Sequence, residues 1–110
     1  DTGAAERFMA EILQRDQRFE LFYMVDRNGV QISENVGLDI DPKAASCKGR
    51  NWAQRPWFRE VAEQLGSYIT PVYRSSATDA FCITVSVPIF AGNGQLHRVL
   101  AADVRLSALL

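Results

Sequence analysis

Two groups of predicted strands flank RNWAQRPWFREVAEQLGSYITPVY, the segment at positions 50–73. Pro56 suits the first turn of a helix, which we expect to run to Gln64 or Leu65 and to be ended by Gly66. The segment combines aromatic rings with arginines, and two interpretations remain open. The helix is either an ordinary amphipathic one, with buried aromatics and solvated arginines, or a lid over a small charged ligand.

Positions 1–18 predict a helix. Phe8 and Ile12 lie on one narrow apolar stripe, with Met9 and Leu13 beside it, and charged residues fill the opposite face. So narrow a stripe suits packing on the helix's own domain, and it equally suits packing on a second copy of the chain. The sequence leaves both arrangements open.

Positions 19–26 predict a central strand, because apolar, aromatic and β-branched residues occupy both of its faces. The DRNG turn at 26–29 predicts a hairpin, and its return strand is expected at 30–36. Positions 37–53 show no periodicity and predict a long loop, a kind of connection that often carries function.

The strands after the helix predict a meander. Positions 67–73 form a strand that Pro71 interrupts, as happens on an edge strand or at a bulge. Positions 81–90 give the clearest strand, AGNG at 91–94 closes a hairpin, and 95–104 form the last strand. The order predicts an α+β fold: a five-stranded antiparallel sheet with an N-terminal long helix and a helix-and-loop lid over one sheet face.

Length and charge exclude several classes of protein. The 110 residues suit one domain, which we divide into a helix at 1–18, a globular part at 19–106 and the start of an exit segment at 107–110. The formal net charge of -1 lacks the basic excess of a nucleic-acid binder. No apolar run approaches the ~20 residues of a membrane span. Since the chain starts without Met and stops in an apolar run, we expect a fragment with targeting or membrane segments outside it.

No catalytic or metal-binding constellation is apparent in the sequence. His97 is the only histidine, and Asp39 and Asp41 lack the acidic residue that closes a calcium loop. We therefore expect no enzyme activity, no metal and no cofactor. Cys47 and Cys82 either form one disulfide or remain free thiols, and the sequence leaves both open.

Four pieces of the chain resemble the Cache family, the extracytoplasmic PAS-like sensor domains of bacterial receptors. They are FELFYMVDRNGVQIS at 19–33, RPWF at 55–58, YRSS-x-TD-x-FCITVSVPI at 73–89 and G-x-x-x-x-VLAADVRL at 94–106. Their order and spacing extend the resemblance over nearly the whole chain from Phe19 onward. The length suits one PAS-like module, which is either a single-Cache unit or one half of a double one.

Members of this family that bind amino acids or amines carry an R-x-W-Y segment, a later Tyr and an Asp near the end of the last strand. The resemblance implies that Arg55 and Trp57 contact a ligand carboxylate. It also implies that Tyr73 is the later Tyr and that Asp103 binds an amine, although Asp103 equally suits a cap for a following helix. The ligand-binding set predicted in this way is Arg50, Trp52, Arg55, Trp57, Tyr73, Ser76, Thr78 and Asp103.

Two positions depart from the family pattern. Phe58 replaces the usual Tyr, and Arg50 stands where another Tyr is expected. These departures, with the added charge of Arg50, favour a ligand such as a dicarboxylate over an α-amino acid. Phe58 is expected to join Val61 and Leu65 in holding the helix on the sheet.

The resemblance implies a periplasmic ligand-sensing module of a transmembrane receptor: a chemoreceptor, a histidine kinase or a cyclic-dinucleotide enzyme. Its ligand would be an amino acid, an amine or an organic acid, and nucleic acid is not expected as a partner. The module would form a homodimer through the N-terminal helix and signal by lid closure and movement of the flanking helices. A ligand-free dimerisation or spacer module and an intracellular PAS-type cofactor-binding domain remain as alternatives.

Overall fold

Three long strands form the centre of an antiparallel sheet in the computed structural model, which describes residues 2–38, 43, 45–75 and 79–109. The helices and strands follow one another as α1 (Thr2–Arg15), β1 (Phe19–Asp26), β2 (Val36–Gly37), α2 (Pro56–Gln64), β3 (Tyr68–Ile69), β4 (Tyr73–Arg74), β5 (Phe81–Phe90), β6 (Leu96–Arg105) and a 3₁₀ helix (Leu106–Leu109). The strand order is β2-β1-β6-β5-β3, and β4 pairs with the same edge of β5 as β3. The sheet therefore has the five predicted strand positions, occupied by six strands.

The predicted return strand at 30–36 is largely wrong. Only Val36 and Gly37 form a strand with β1, and Gln31 makes an isolated bridge. A side chain replaces one of the bonds that a ladder would make, since Ser33 Oγ accepts from the Met24 amide at 2.9 Å. Serine and other short polar side chains compete with sheet bonding in this way.

Helix α1 packs on one face of the sheet. Met9 and Leu13 are its buried residues, and they contact Phe22 of β1 and Ala102 of β6. The buried stripe therefore lies one residue further along the chain than the predicted stripe, and Phe8 is 58% exposed. The helix also ends at Arg15, before the predicted position 18. No helix in the described ranges is long and apolar enough to cross a membrane.

Helix α2 packs on the opposite face. It starts at Pro56, as predicted, and buries Trp57, Phe58 and Val61 against β1 and β6. Gly66 does not end it: Leu65 takes the left-handed conformation at φ 57° and donates its amide to the Val61 carbonyl at 2.8 Å. Leu65 is 48% exposed, so the prediction that it holds the helix on the sheet is wrong.

The interrupted strand predicted at 67–73 is confirmed. Pro71 separates β3 from β4, and both pieces lie on the outer edge of β5. Between them, the Thr70 amide donates to the Thr84 carbonyl at 3.0 Å, and the Thr84 amide donates to Thr70 Oγ1 at 2.9 Å. This segment is thereby fixed beside the sheet face that carries α2.

Candidate functional site

A cavity of about 270 Å³ lies between the α2 face of the sheet, the loop that precedes α2, and the segment from Thr70 to Ser75. Its walls include Tyr23, Trp52, Arg55, Trp57, Tyr73 and Asp103. Five of the eight predicted ligand-binding residues therefore meet at one cavity. Ser76 and Thr78 lie outside the described residues.

Asp103 is the only acidic residue that lines this cavity among the described residues. It is 2% exposed and lies within β6, where it pairs with Leu21 and Thr84, so it does not cap a helix. Its Oδ1 accepts from Thr84 Oγ1 at 2.8 Å and from the Tyr23 hydroxyl at 3.0 Å. Its Oδ2 accepts from Ser75 Oγ at 3.4 Å.

Burial raises the pKa of Asp103, and the hydrogen bonds from Thr84 and Tyr23 oppose that rise. All of its hydrogen-bond partners in the described part of the chain are hydroxyls. Within the described residues, the ionised carboxylate is therefore solvated by hydroxyl dipoles, and no basic side chain donates to it. A buried anion in this state is strongly stabilised by a cation that enters the cavity.

Tyr73 lies beside the same carboxylate. Because the single hydroxyl proton of Thr84 is donated to Asp103, the Tyr73 hydroxyl donates to Thr84 Oγ1. It also approaches Asp103 Oδ1 at 3.5 Å. Burial raises the pKa of Tyr73 and that of Tyr23, so both phenols are neutral hydrogen-bond donors.

Arg55 and Trp57 occupy the start of α2 but differ in their surroundings. Arg55 is the exposed N-cap residue, and its guanidinium carbon lies 5.4 Å from the centre of the Trp52 ring. Trp57 is 4% exposed and meets Tyr23 edge-on, with ring centres 5.3 Å apart. Trp57 is therefore a core residue that also forms a wall of the cavity, and the interpretation of the segment as a lid over a ligand stays a prediction.

Trp52 is held in place by the hairpin. Its indole nitrogen donates to Gln31 Oε1 at 2.9 Å, and its amide donates to the Gly29 carbonyl at 2.8 Å. The approach is close: a Cβ on Gly29 would lie 2.8 Å from Ala53 Cα. Arg50 lies 5.2 Å from the Trp52 ring centre and is not among the residues that line the cavity.

Cys47 and Cys82 are both free thiols in this structure, and their pairing in a disulfide stays a prediction. Cys82 is buried on β5, where burial raises the pKa of its thiol to about 11. Cys47 is half-buried in the loop and lines the cavity. The two cysteines therefore lie in different environments, one in the sheet and one at the cavity.

Several residues of the site were missed by the sequence analysis: Tyr23, Gln31, Asn35, Thr70, Ser75 and Thr84. A signal for one of them was present, because Cys82, Thr84 and Ser86 alternate with apolar residues along β5 and are all buried. A small polar row on a central strand indicates a buried polar site. The rest depended on strand register, which the sequence does not display.

An antiparallel sheet with a cavity under its second helix defines the class of PAS-like sensor domains. A family model described as methyl-accepting chemotaxis protein-like, first PDC sensor domain, matches residues 3–110. The chain belongs to this family, and the predicted resemblance and sensor function are confirmed.

Solved structures show the same fold. The sensor domain of the V. cholerae histidine kinase DctB matches with a TM-score of 0.77 and 21% identity, over 98% of this chain and 39% of that one. The ligand-binding domain of the Campylobacter jejuni chemoreceptor Tlp3, in complex with L-norvaline, matches with a TM-score of 0.74 and 15% identity, over 98% and 41%. Because both identities are below 25%, these similarities show a shared fold alone.

A curated relative is Citrate (Re)-synthase of Syntrophus aciditrophicus (strain SB), which is 26% identical over 107 residues. The match covers 96% of this chain and 17% of the relative. The chain thus spans well under half the length of each of these three proteins.

Proposed function

We propose that this domain senses a small zwitterion, an amino acid or a close analogue, whose ammonium group binds Asp103. The observation that carries the proposal is a buried carboxylate with only hydroxyl partners in the described residues, at a cavity of about 270 Å³. A cavity of this size suits a metabolite smaller than a drug-sized ligand.

Arg55 supplies the opposite charge at the start of α2. Arg74 also contributes to the cavity wall, but its guanidinium carbon lies 4.6 Å from the Phe81 ring centre and its Nη1 donates to the Asp79 carbonyl. Arg50 is outside the lining, so the reason to expect a dicarboxylate is lost. Arg55 and Asp103 together favour a ligand that carries at least one carboxylate and one ammonium group.

A ligand bound through its ammonium group to Asp103 and through its carboxylate to Arg55 would order the loop before α2 against the sheet. Because α1 packs on the reverse face of β1 and β6, a change in these strands alters the packing of α1. The signal is then a shift between two packed states, favoured by differential contacts of the ligand. The domain itself binds its ligand without converting it.

The setting we infer for this domain is periplasmic, in a transmembrane chemoreceptor or histidine kinase whose membrane-spanning helices flank it. The exposed Phe8 on α1 suits contact with a second copy of the chain. Sedimentation velocity tests this point: Phe8→Glu should leave a monomer where the wild-type protein forms a dimer. A monomeric wild-type domain at all accessible concentrations would remove the dimer from the proposal.

Ligand binding is tested by thermal shift and calorimetry against a panel of amino acids, amines and organic acids. A ligand at a hundred times its Kd adds about 2.7 kcal/mol to the free energy of unfolding. Arg55→Ala should weaken binding of a carboxylate ligand by roughly tenfold or more, because a charge-assisted hydrogen bond is lost. Arg59→Ala, on the exposed side of the same helix, is the matched control and should bind normally.

Two results would overturn the proposal. One is a folded wild-type domain that binds no member of the panel, which would favour a spacer module. The other is normal carboxylate binding by Arg55→Ala.

A further inference from the structure

The wall of the cavity around Trp52 carries a chain of three hydrogen-bonding side chains. Trp52 Nε1 donates to Gln31 Oε1 at 2.9 Å, and Gln31 Nε2 donates to Asn35 Oδ1 at 2.8 Å. All three residues line the cavity. Gln31 is 2% exposed, whereas Asn35 is half-buried.

Chemistry fixes the direction of this chain. An indole nitrogen only donates, so the Gln31 group that faces it must be the carbonyl oxygen. The Gln31 amide nitrogen is then directed to Ser33, whose backbone carbonyl only accepts, at 2.9 Å. The same nitrogen donates to Asn35, which must therefore present its carbonyl oxygen to Gln31.

Asn35 is thus left with its amide nitrogen turned away from Gln31. Within residues 2–38, 43, 45–75 and 79–109, no group accepts a hydrogen bond from Asn35 Nδ2. This nitrogen offers two N–H donors and no acceptor. Asn35 lines the cavity, and the bonding that begins at the Trp52 indole makes its remaining polar group a donor and not an acceptor.

We propose that Asn35 determines specificity by donating to an oxygen acceptor at the distal end of the ligand. This rests on the proposed function, in which Asp103 and Arg55 bind the ammonium and carboxylate groups that all candidate zwitterions share. The ligand class is an amino acid with a carboxylate or carbonyl oxygen at the end of its side chain. A distal ammonium would face the N–H donors of Asn35 and leave both sides unpaired.

The test uses length-matched probes: L-glutamate and L-glutamine carry a distal acceptor, L-norvaline is apolar, and L-ornithine carries a distal ammonium. Calorimetry measures the Kd of each for the wild-type domain and for Asn35→Asp. Aspartate retains the bond from Gln31 but presents an acceptor to the cavity. Asn93→Asp, in the exposed turn before β6, is the matched control for the added charge.

The wild-type domain should bind glutamate and glutamine more tightly than norvaline, and norvaline more tightly than ornithine. In Asn35→Asp, the ratio of the ornithine Kd to the glutamate Kd should fall at least tenfold. In Asn35→Ala, glutamate should lose its advantage over norvaline. Asn93→Asp should leave every ratio unchanged.

An unchanged ratio in Asn35→Asp, or an equal loss of all four probes, would overturn the role of Asn35 and leave the sensor proposal standing. A folded wild-type domain that binds none of the probes, nor any other zwitterion of the panel, would instead overturn the proposed function. The two failures are therefore distinguishable.

Discussion

The hydroxyl of Tyr23 on β1 donates a hydrogen bond of 3.0 Å to Oδ1 of Asp103 on the neighbouring strand β6. Both residues are buried, and the bond opposes the rise that burial causes in the pKa of Asp103. In the proposed binding mode, the proton on Asp103 and the ammonium group of a ligand are alternatives, because each neutralises the same carboxylate. We therefore expect ligand binding to depend on pH.

Tyr23→Phe should move the pH dependence of zwitterion binding to higher pH. Binding requires ionised Asp103, so affinity falls as pH drops through the pKa of this group. Losing a donor raises that pKa, by about one unit if the bond contributes about 1.4 kcal/mol to the ionised form. Calorimetry with L-norvaline as a function of pH measures the midpoint of the fall.

Tyr68→Phe is the control for this substitution, because Tyr68 packs on the same core without a bond to Asp103. A midpoint that is the same for Tyr23→Phe and the wild-type domain would show that the hydroxyl does not act on Asp103.

Asp103→Asn should stabilise the unliganded domain at neutral pH and abolish zwitterion binding. Burial raises the pKa of Asp103 in the folded state, so the folded state holds its proton more tightly than the unfolded state. The stability that this protonation contributes is present below the unfolded pKa and is lost as pH rises through the folded pKa. The gain from Asn should therefore be largest at pH 7 and disappear under acidic conditions.

Thermal unfolding of both forms without ligand, between pH 4 and pH 7, measures the difference. Asp79→Asn is the control, because Asp79 is exposed and its substitution should not stabilise the domain at pH 7. If Asp103→Asn is less stable than the wild-type domain at pH 7, the ionised carboxylate does not destabilise the ligand-free domain and the argument fails.

The long strands were predictable because the alternation of side chains along β1, β5 and β6 is local information. The return strand was not predictable, because the side chains of Ser33 and Gln31 bond to the Met24 amide and the Ser33 carbonyl. A regular ladder would have paired these two backbone groups with another strand. In the site, Asp103 was found through the family resemblance. Tyr23 was missed because its contact with Asp103 depends on the pairing of strands 80 residues apart.

Gly29→Ala should destabilise the domain by about 2 kcal/mol and weaken ligand binding. Gly29 has a φ of 88°, and an added Cβ would lie 2.8 Å from Ala53 Cα. Left-handed strain costs a side-chain-bearing residue about 1–2 kcal/mol, and the backbone clash adds to this cost. The displaced loop is the one that holds Trp52, which explains the effect on the cavity.

Gly94→Ala is the matched control for Gly29→Ala. Its φ of 82° carries the same strain, but nothing lies within 4 Å of an added Cβ. Urea unfolding should show a smaller loss for Gly94→Ala, with unchanged ligand affinity. Equal losses in the two variants would rule out the contact with Ala53 as the cause.

Leu65→Gly should stabilise the domain by about 0.5–1 kcal/mol. Leu65 ends α2 at φ 57°, a left-handed conformation that costs a side-chain-bearing residue about 1–2 kcal/mol and costs glycine little. The greater freedom of glycine in the unfolded chain offsets part of this gain. Little burial is lost, because Leu65 is 48% exposed. Gln64→Gly, one residue earlier at the last helical residue, should instead destabilise by roughly 0.5–1 kcal/mol. Urea unfolding of the two variants should therefore give changes of opposite sign, and a loss of stability in both would show that the left-handed conformation of Leu65 carries no strain.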